Sequence, residues 1–243
     1  MPVLLKRASL AYFPAPKCAC TTLKTAIYDA EHEEKYDPEI MVKRQSVHDL
    51  YRTSQFDTSF IKRTEGLLRI AFVREPSQRI LSAYANRVIY HKALEKFGDF
   101  EKLGLNSTPS VEEFILKLPL YRSACHEVRH HTDLMTLFLG PSRDLYDRLL
   151  NLSEIEVFYD ILEKAYNKKI DRRRRQFEGP KLTIDDLSSS TRKLLISYCA
   201  HDYDFLGIAP PKTGLSGWSW SKNSFFKSKQ ATQFGSKQKQ GQI

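Results

Sequence analysis

The sequence predicts a single α/β domain in which helices flank a parallel sheet. A strand, a short loop and a helix follow one another twice along the chain, which is typical of such sheets. The chain has 243 residues, of which 41% are hydrophobic, enough for one domain with a substantial core and a tail. We place the domain at residues 1–209. Residues 210–243, rich in Ser, Lys, Gln and Gly, are predicted to form a basic, disordered tail.

The first strand–helix unit begins with the apolar run at residues 10–13, which favours a buried strand. Thr21 and Thr22 follow the next loop, and we predict that they cap a helix. Apolar side chains recur at helical spacing from Leu23 onward, so this helix is expected to end near Glu33.

The second unit begins with residues 67–73, which give the strongest strand signal in the chain. Pro76 suits the first position of a helix, and Glu75 is the candidate cap before it. Apolar spacing then carries this helix to about Lys92. The later segments that we predict to be helical or mixed are residues 111–118, 134–139, 145–168 and 189–203.

The distribution of charge argues against a uniformly basic surface that would bind nucleic acid. The net charge is +9, but six lysines lie after Pro211, where no acidic residue occurs, and this leaves +3 for the rest of the chain. No apolar run reaches the roughly 18 residues of a membrane-spanning helix. The four cysteines are too few for a disulfide scaffold, and no spacing of ligand residues indicates a bound metal ion.

The loop after the first strand has the composition of an anion-binding site. A helix N-terminus presents unpaired N–H groups and a partial positive charge. Lys17 adds a full charge there, and Thr21 and Thr22 add hydroxyl donors. The loop contains no glycine and is therefore not a Walker A loop. An ordinary capped turn with an exposed lysine stays open as the alternative.

A second candidate anion site follows the second strand. Arg74 comes directly after that strand, and Ser82 lies eight residues further along the chain. Because eight residues cover the loop and about two helical turns, both side chains are expected to face the sheet edge. Arginine suits phosphate because its planar group donates two hydrogen bonds at once. Anion sites on two neighbouring junctions indicate a ligand with a phosphate at each end.

Three segments resemble motifs of sulfotransferases that use 3′-phosphoadenosine-5′-phosphosulfate (PAPS). PKCACTTLK at residues 16–24 resembles their 5′-phosphosulfate loop, and VREPSQRILSAY at residues 73–84 resembles their 3′-phosphate motif. DYDFLG at residues 202–207 is similar to a sequence that often closes their catalytic domain. Within this family the motifs are most similar to those of carbohydrate sulfotransferases of the chondroitin and dermatan type. The resemblance implies a P-loop-like fold and sulfuryl transfer from PAPS to a hydroxyl group of a carbohydrate acceptor.

The resemblance also implies roles for individual residues. Lys17 and the two threonines would hold the 5′-phosphosulfate with backbone N–H groups of the loop, and Lys17 would meet the charge on the leaving oxygen. Arg74 and Ser82 would hold the 3′-phosphate. The residues predicted to bind PAPS, as co-substrate and without a metal ion, are Lys17, Cys18, Ala19, Cys20, Thr21, Thr22, Arg74 and Ser82.

The general base is predicted to be a histidine, because the acceptor hydroxyl must lose a proton and the pKa of histidine lies near working pH. His48 is our candidate, since it follows the first helix and is expected to return toward the sulfate. The cluster of His126, His130 and His131 is the alternative.

Two other functions stay open from the residues alone. One is a P-loop-like kinase that uses ATP, and the other is a non-catalytic basic module that binds through the arginines at 172–175 and the tail. Those arginines are equally a candidate site for an anionic acceptor or a solvated loop. The tail is also a candidate for weak contact with a membrane surface. We expect a cytoplasmic location, and a Golgi location only if the chain is a truncated form.

Overall fold

The structure is a computed structural model that describes residues 1–41, 46–97, 100–173 and 178–211. Almost all of the predicted tail lies outside these described residues, so its disorder stays a prediction. Arg174 and Arg175 also lie outside them.

The described part of the chain forms a four-stranded sheet with the order β1-β2-β3-β4, which confirms the predicted fold class. The strands are β1 (Val3–Leu5), β2 (Leu10–Phe13), β3 (Leu68–Val73) and β4 (Arg148–Asn151). β2, β3 and β4 run parallel, whereas β1 pairs with β2 in the antiparallel sense at the edge. The registers place Phe13 opposite Ala71 and Val73 opposite Asn151, so the three parallel strands end at the same edge of the sheet.

Helices cover both faces of this sheet and extend beyond it. In chain order they are α1 (Cys20–Glu31), α2 (Pro38–Met41), α3 (Val47–Leu50), α4 (Ser59–Arg63), α5 (Pro76–Ala83), a π-helical segment (Tyr84–Tyr90), α6 (Ala93–Phe97), α7 (Val111–Leu116), α8 (Leu118–Ala124), α9 (His126–Thr132), α10 (Met135–Leu139), α11 (Ile155–Tyr166), α12 (Ser189–Tyr198) and α13 (Ala200–Leu206). Short 3-10 turns lie at Lys6–Ala8, Glu101–Leu103, Arg143–Leu145, Leu152–Glu154 and Ile184–Asp186.

β3 is the middle one of the three parallel strands, and its last four residues are buried. A strand that neighbours cover on both faces needs apolar side chains at consecutive positions, which explains its unbroken apolar run. Three aromatic rings link the sheet to α11: Tyr12, Phe72 and Phe158 lie with ring centroids 5.5 to 6.5 Å apart. Edge-to-face and tilted rings at this spacing add stability beyond the area that they bury.

The predicted cap of α1 was wrong. The helix begins at Cys20, and its N-cap is Ala19 in the left-handed region, with φ of 57°. Thr21 and Thr22 lie inside the first turn, because the backbone turns into the helix two residues earlier than the threonines suggest. The helix also ends at Glu31, before the expected Glu33.

The second unit follows its prediction more closely at the start than at the end. Glu75 caps α5, since its carboxylate accepts from the N–H groups of Ser77 and Gln78. α-Helical geometry stops at Ala83, and the N–H of His91 donates to the carbonyl of Asn86, five residues earlier, at 2.9 Å. Hydrogen bonds of this span define a π-helix, which occurs frequently at functional sites.

Residues 145–168, predicted to be helical or mixed, hold the strand β4 as well as α11, and the strand was not predicted by itself. β4 has only four residues and begins with an exposed arginine, so it carries too little apolar pattern to distinguish it from the neighbouring helix.

A fully buried ion pair joins the segments around the sheet edge. Arg79 of α5 and Asp202 of α13 have no exposed side-chain surface, and their Nη2 and Oδ2 atoms lie 3.7 Å apart. Arg79 also donates to the backbone carbonyls of Pro16 and Asp133. Asp202 accepts from the N–H of Met135 at 2.8 Å, at the start of α10. The pair therefore connects the loop after β2, α5, α10 and α13.

Tyr203, which follows Asp202 in the DYDFLG segment, makes a second connection. The hydroxyl of Tyr203 lies 2.6 Å from Ser77 Oγ and hydrogen-bonds to the carboxylate of Glu75. Both partners belong to the junction between β3 and α5, so this segment fixes the end of the domain to the second predicted anion site.

Replacing Arg79 by Met should destabilise the protein by about 3–5 kcal/mol, because Asp202 would stay buried without its cation. Urea unfolding followed by circular dichroism measures this loss. Lys117→Ala is the matched control: it breaks the more exposed ion pair with Glu113 and should cost about 0.5 kcal/mol or less. A loss from Arg79→Met as small as that of the control would contradict the role given to the buried pair.

Candidate active site at the carboxyl edge of the sheet

A cavity of about 470 Å³ lies where the three parallel strands end. All three strand–helix junctions contribute to its wall. The lining residues are Lys17, Ala19, Cys20, Thr21, Thr22, Arg74, Ser82, Leu152, Ser153, Ile155, Glu156, Tyr159, Arg172 and Arg173. Parallel α/β sheets bind ligands at this edge because helix N-termini converge there.

The structure brings almost all of the predicted donor-binding residues to this cavity. Seven of the eight appear in its wall, from the loop after β2 to Ser82 of α5. Cys18 is the exception, because its side chain is fully buried and its Sγ contacts Met135 Sδ at 3.7 Å. Burial raises the pKa of the Cys18 thiol to about 12, so this side chain stays protonated and apolar in character.

The loop before α1 has an unusual backbone. Lys17 and Ala19 both have positive φ, at 65° and 57°, a conformation that costs residues with a Cβ roughly 1 kcal/mol or more. Among the described residues no side chain caps the N-terminus of α1. The first N–H groups of a helix have no partner within the helix, so this end offers backbone donors and a positive dipole to an anion.

Lys17 is almost enclosed, with 9% of its surface exposed, and its Nζ donates to Asn86 Oδ1 at 2.7 Å. Asn86 comes from the π-helical segment, so the departure from α-helical geometry and the contact to Lys17 occur at the same place. Burial, followed by the charges of Arg87 and Arg74, lowers the pKa of Lys17 to about 8. A bound anion would offset these effects and favour the charged form.

Sequence reasoning did not find Asn86, and it left the far wall of the cavity unassigned. Ser153, Glu156 and Tyr159 follow β4, the strand that the apolar pattern did not reveal. The arginine run did give a signal: Arg172 lies over the Tyr159 ring at 4.7 Å, and Arg173 pairs with Asp29 of α1. Both arginines thus line the same cavity as Lys17.

His48 lies behind Thr21 and does not belong to the lining residues. Its Nε2 is 2.8 Å from Thr21 Oγ1, and its Nδ1 is 3.2 Å from Lys24 Nζ. Burial, followed by the charges of Lys24 and Arg87, lowers the pKa of His48 to about 4. The role of His48 as general base stays a prediction.

The alternative histidines lie on α9. His126 and His130 are stacked with ring centroids 6.3 Å apart, and His131 Nε2 lies 3.4 Å from Glu127 Oε1. Glu127 also pairs with Arg87 of the π-helical segment at 3.1 Å. Burial lowers the pKa of His131 despite this carboxylate neighbour.

The described residues contain no group of three or more His, Cys, Asp or Glu side chains arranged to hold a metal ion. None of the helices in this part of the chain is both long and apolar enough to cross a membrane.

Comparison with known proteins shows which family has this arrangement. The model of the sulfotransferase family matches residues 3–207, a range that runs from the first strand to the end of α13 and includes the entire cavity wall. The chain belongs to the sulfotransferase family. Comparisons with curated proteins and with solved structures found no match. As a member of this family, the protein is a transferase of sulfuryl groups, and the family generally uses PAPS as the sulfate donor.

The lowered pKa of Lys17 predicts that anion binding is linked to proton uptake. Above about pH 8 the free side chain loses its proton, and a bound anion restores it, so affinity should fall as the pH rises through this range. Calorimetric titration with inorganic sulfate, which keeps its charge over this range, in buffers of different ionisation enthalpy measures the protons taken up at pH 6.5 and pH 9, values chosen on either side of this pKa.

Arg87→Ala should shift the midpoint of this proton uptake to higher pH, because it removes a positive charge that lowers the pKa of Lys17. The control, Arg129→Ala, removes an exposed arginine of α9 and should leave the midpoint unchanged. Equal affinities and no proton uptake at either pH would contradict the assignment of Lys17 to the anion site.

Proposed function

We propose that the protein transfers the sulfuryl group of PAPS to a hydroxyl group of a carbohydrate acceptor. The observation that carries this proposal is a single cavity whose wall includes both predicted phosphate sites, Lys17 with the N-terminus of α1 and Arg74 with Ser82. A ligand that spans these two sites needs an anionic group at each end, and PAPS has this form.

The charge of the cavity wall supports the same ligand. Among the lining residues four are cationic, Lys17, Arg74, Arg172 and Arg173, and Glu156 is the acid. A cavity lined by an excess of one charge concentrates ligands of the opposite sign. Its volume of about 470 Å³ also falls within the usual range of small-molecule sites, roughly 300–1,000 Å³.

The contacts and burial of Lys17 support its role as the group that stabilises the leaving oxygen. An ammonium carries three donors, and one of them is used by Asn86 Oδ1. The remaining donors are available to the 5′-phosphosulfate. Because Lys17 is nearly buried, it can be aligned before the reaction and acts in surroundings that screen its charge weakly. PAPS supplies the sulfuryl group and a phosphate leaving group, whereas the chain supplies alignment and charge.

The choice of a carbohydrate acceptor rests on the sequence. Residues 16–24 and 73–84 resemble motifs of carbohydrate sulfotransferases, whose acceptors offer hydroxyl groups to the sulfuryl donor.

Lys17→Ala should lower kcat by at least about 100-fold, since it removes the donor to the leaving oxygen. The measurement is sulfuryl transfer from radiolabelled PAPS to a panel of oligosaccharides. Lys164→Ala removes an exposed lysine of α11 and serves as the control. If Lys17→Ala transfers sulfate as fast as the control, the catalytic site lies elsewhere.

Arg74→Ala should act chiefly on donor affinity. Loss of one charged hydrogen bond costs about 1.5–3 kcal/mol, so the Kd for 3′,5′-adenosine bisphosphate should rise by about 10- to 150-fold. Calorimetry gives this value, with Arg148→Ala, at an exposed position of β4, as the control. An unchanged Kd would remove Arg74 from the 3′-phosphate site.

A further inference from the structure

A buried lysine lies directly behind the anion site. Lys24 has no exposed surface, and its Nζ lies 2.7 Å from Thr53 Oγ1 and 3.2 Å from His48 Nδ1. Lys24 follows Thr21 by three residues on α1, so the two side chains share one face of the helix. His48, on α3, contacts both of them.

Burial lowers the pKa of Lys24, and it is the charged form of this side chain that sets the hydrogen-bond directions. An ammonium has donors but no acceptor, so Lys24 Nζ donates to His48 Nδ1, and Nδ1 provides the lone pair. The proton of the neutral imidazole then lies on Nε2, and Nε2–H donates to Thr21 Oγ1. Because Thr21 Oγ1 accepts this bond, its own hydrogen is available to a ligand in the cavity that Thr21 lines.

The surroundings of His48 keep its imidazole neutral. The groups that act on it are Lys24 of α1, Arg87 of the π-helical segment, His130 of α9 and Asp49 of its own helix. Burial and the first three of these groups oppose a positive charge on the ring, and Asp49, which is exposed, opposes them only weakly. A pKa of about 4 leaves His48 uncharged at neutral pH.

We infer that His48 and Lys24 are positioning residues that hold the Thr21 hydroxyl as a hydrogen-bond donor to the sulfuryl donor. His48 therefore presents a proton toward the site, and its Nδ1 lone pair is occupied by Lys24, so no lone pair of the ring is available to take a proton from the acceptor hydroxyl. This inference rests on the proposed function and assigns to His48 a role different from the general base predicted from the sequence.

Two substitutions of His48 distinguish the two roles. The amide of Gln can donate from a position like that of Nε2, but it cannot act as a general base near neutral pH. If His48 is a positioning residue, His48→Gln should keep most of the wild-type kcat, and His48→Ala should lose about tenfold in affinity for 3′,5′-adenosine bisphosphate. If His48 is instead the general base, both variants should lose about 10²- to 10⁴-fold in kcat while their bisphosphate affinity stays unchanged, and this result would overturn the inference.

Thr21→Val tests the end of the chain of hydrogen bonds. It keeps the shape of the side chain, removes the hydroxyl and should weaken bisphosphate binding about as much as His48→Ala. Because both act through one hydroxyl, the double variant should bind no more weakly than Thr21→Val alone. Additive losses would show that His48 acts independently of Thr21 and would overturn the inference.

A measurement without any ligand separates this inference from the proposed function. Nitrogen-15 NMR of the imidazole in the full-length protein should show the Nε2–H tautomer, with no protonation between pH 8 and pH 5, because the pKa is about 4. The Nδ1–H tautomer, or titration at an ordinary histidine pKa, would overturn the inference. Failure of wild-type protein to bind the bisphosphate would instead reject the PAPS site, while the tautomer still decides the hydrogen-bond directions.

Discussion

The buried pair of Arg79 and Asp202 is the constraint on which the site edge depends. A buried guanidinium is tolerated only where its charge is matched and its N–H groups find acceptors. Asp202 supplies the charge, and the carbonyls of Pro16 and Asp133 supply acceptors from two other segments. Nε of Arg79 has no partner among the described residues, so these contacts satisfy most of the guanidinium and not all of it. The bond to Pro16 links α5 to the loop after β2, which carries Lys17.

The cations of the cavity wall are held in two different ways. Arg172 and Arg173 have carboxylate partners, so their charge is partly matched before any ligand arrives. Lys17 is held by the neutral amide of Asn86, which fixes the direction of Nζ without cancelling its charge. Burial lowers the pKa of Lys17, and its unmatched charge favours the binding of an anion. Amide support thus leaves the charge of Lys17 available to an anion in the cavity.

Sequence patterns predicted the structural features that depend on residues close together in the sequence. β2, β3 and the Glu75 cap follow from apolar runs and local capping, and the two anion loops follow from their position after a strand. The Ala19 cap was missed because its left-handed backbone reflects packing and not a capping side chain. β4 and the contact of Lys17 with Asn86 depend on residues far apart in the sequence, which periodicity does not report.

The π-helical segment widens one turn of a helix that continues directly from α5. Its hydrogen bonds span five residues instead of four, so the widened turn holds one residue more than an α-helical turn over the same rotation. Deleting one residue between Tyr84 and Tyr90 would therefore restore α-helical pitch with little change in the direction of the chain beyond it. The change would fall on Asn86, whose Oδ1 accepts from Lys17, so one added residue in a helix helps to set the direction of a side chain in the loop after β2.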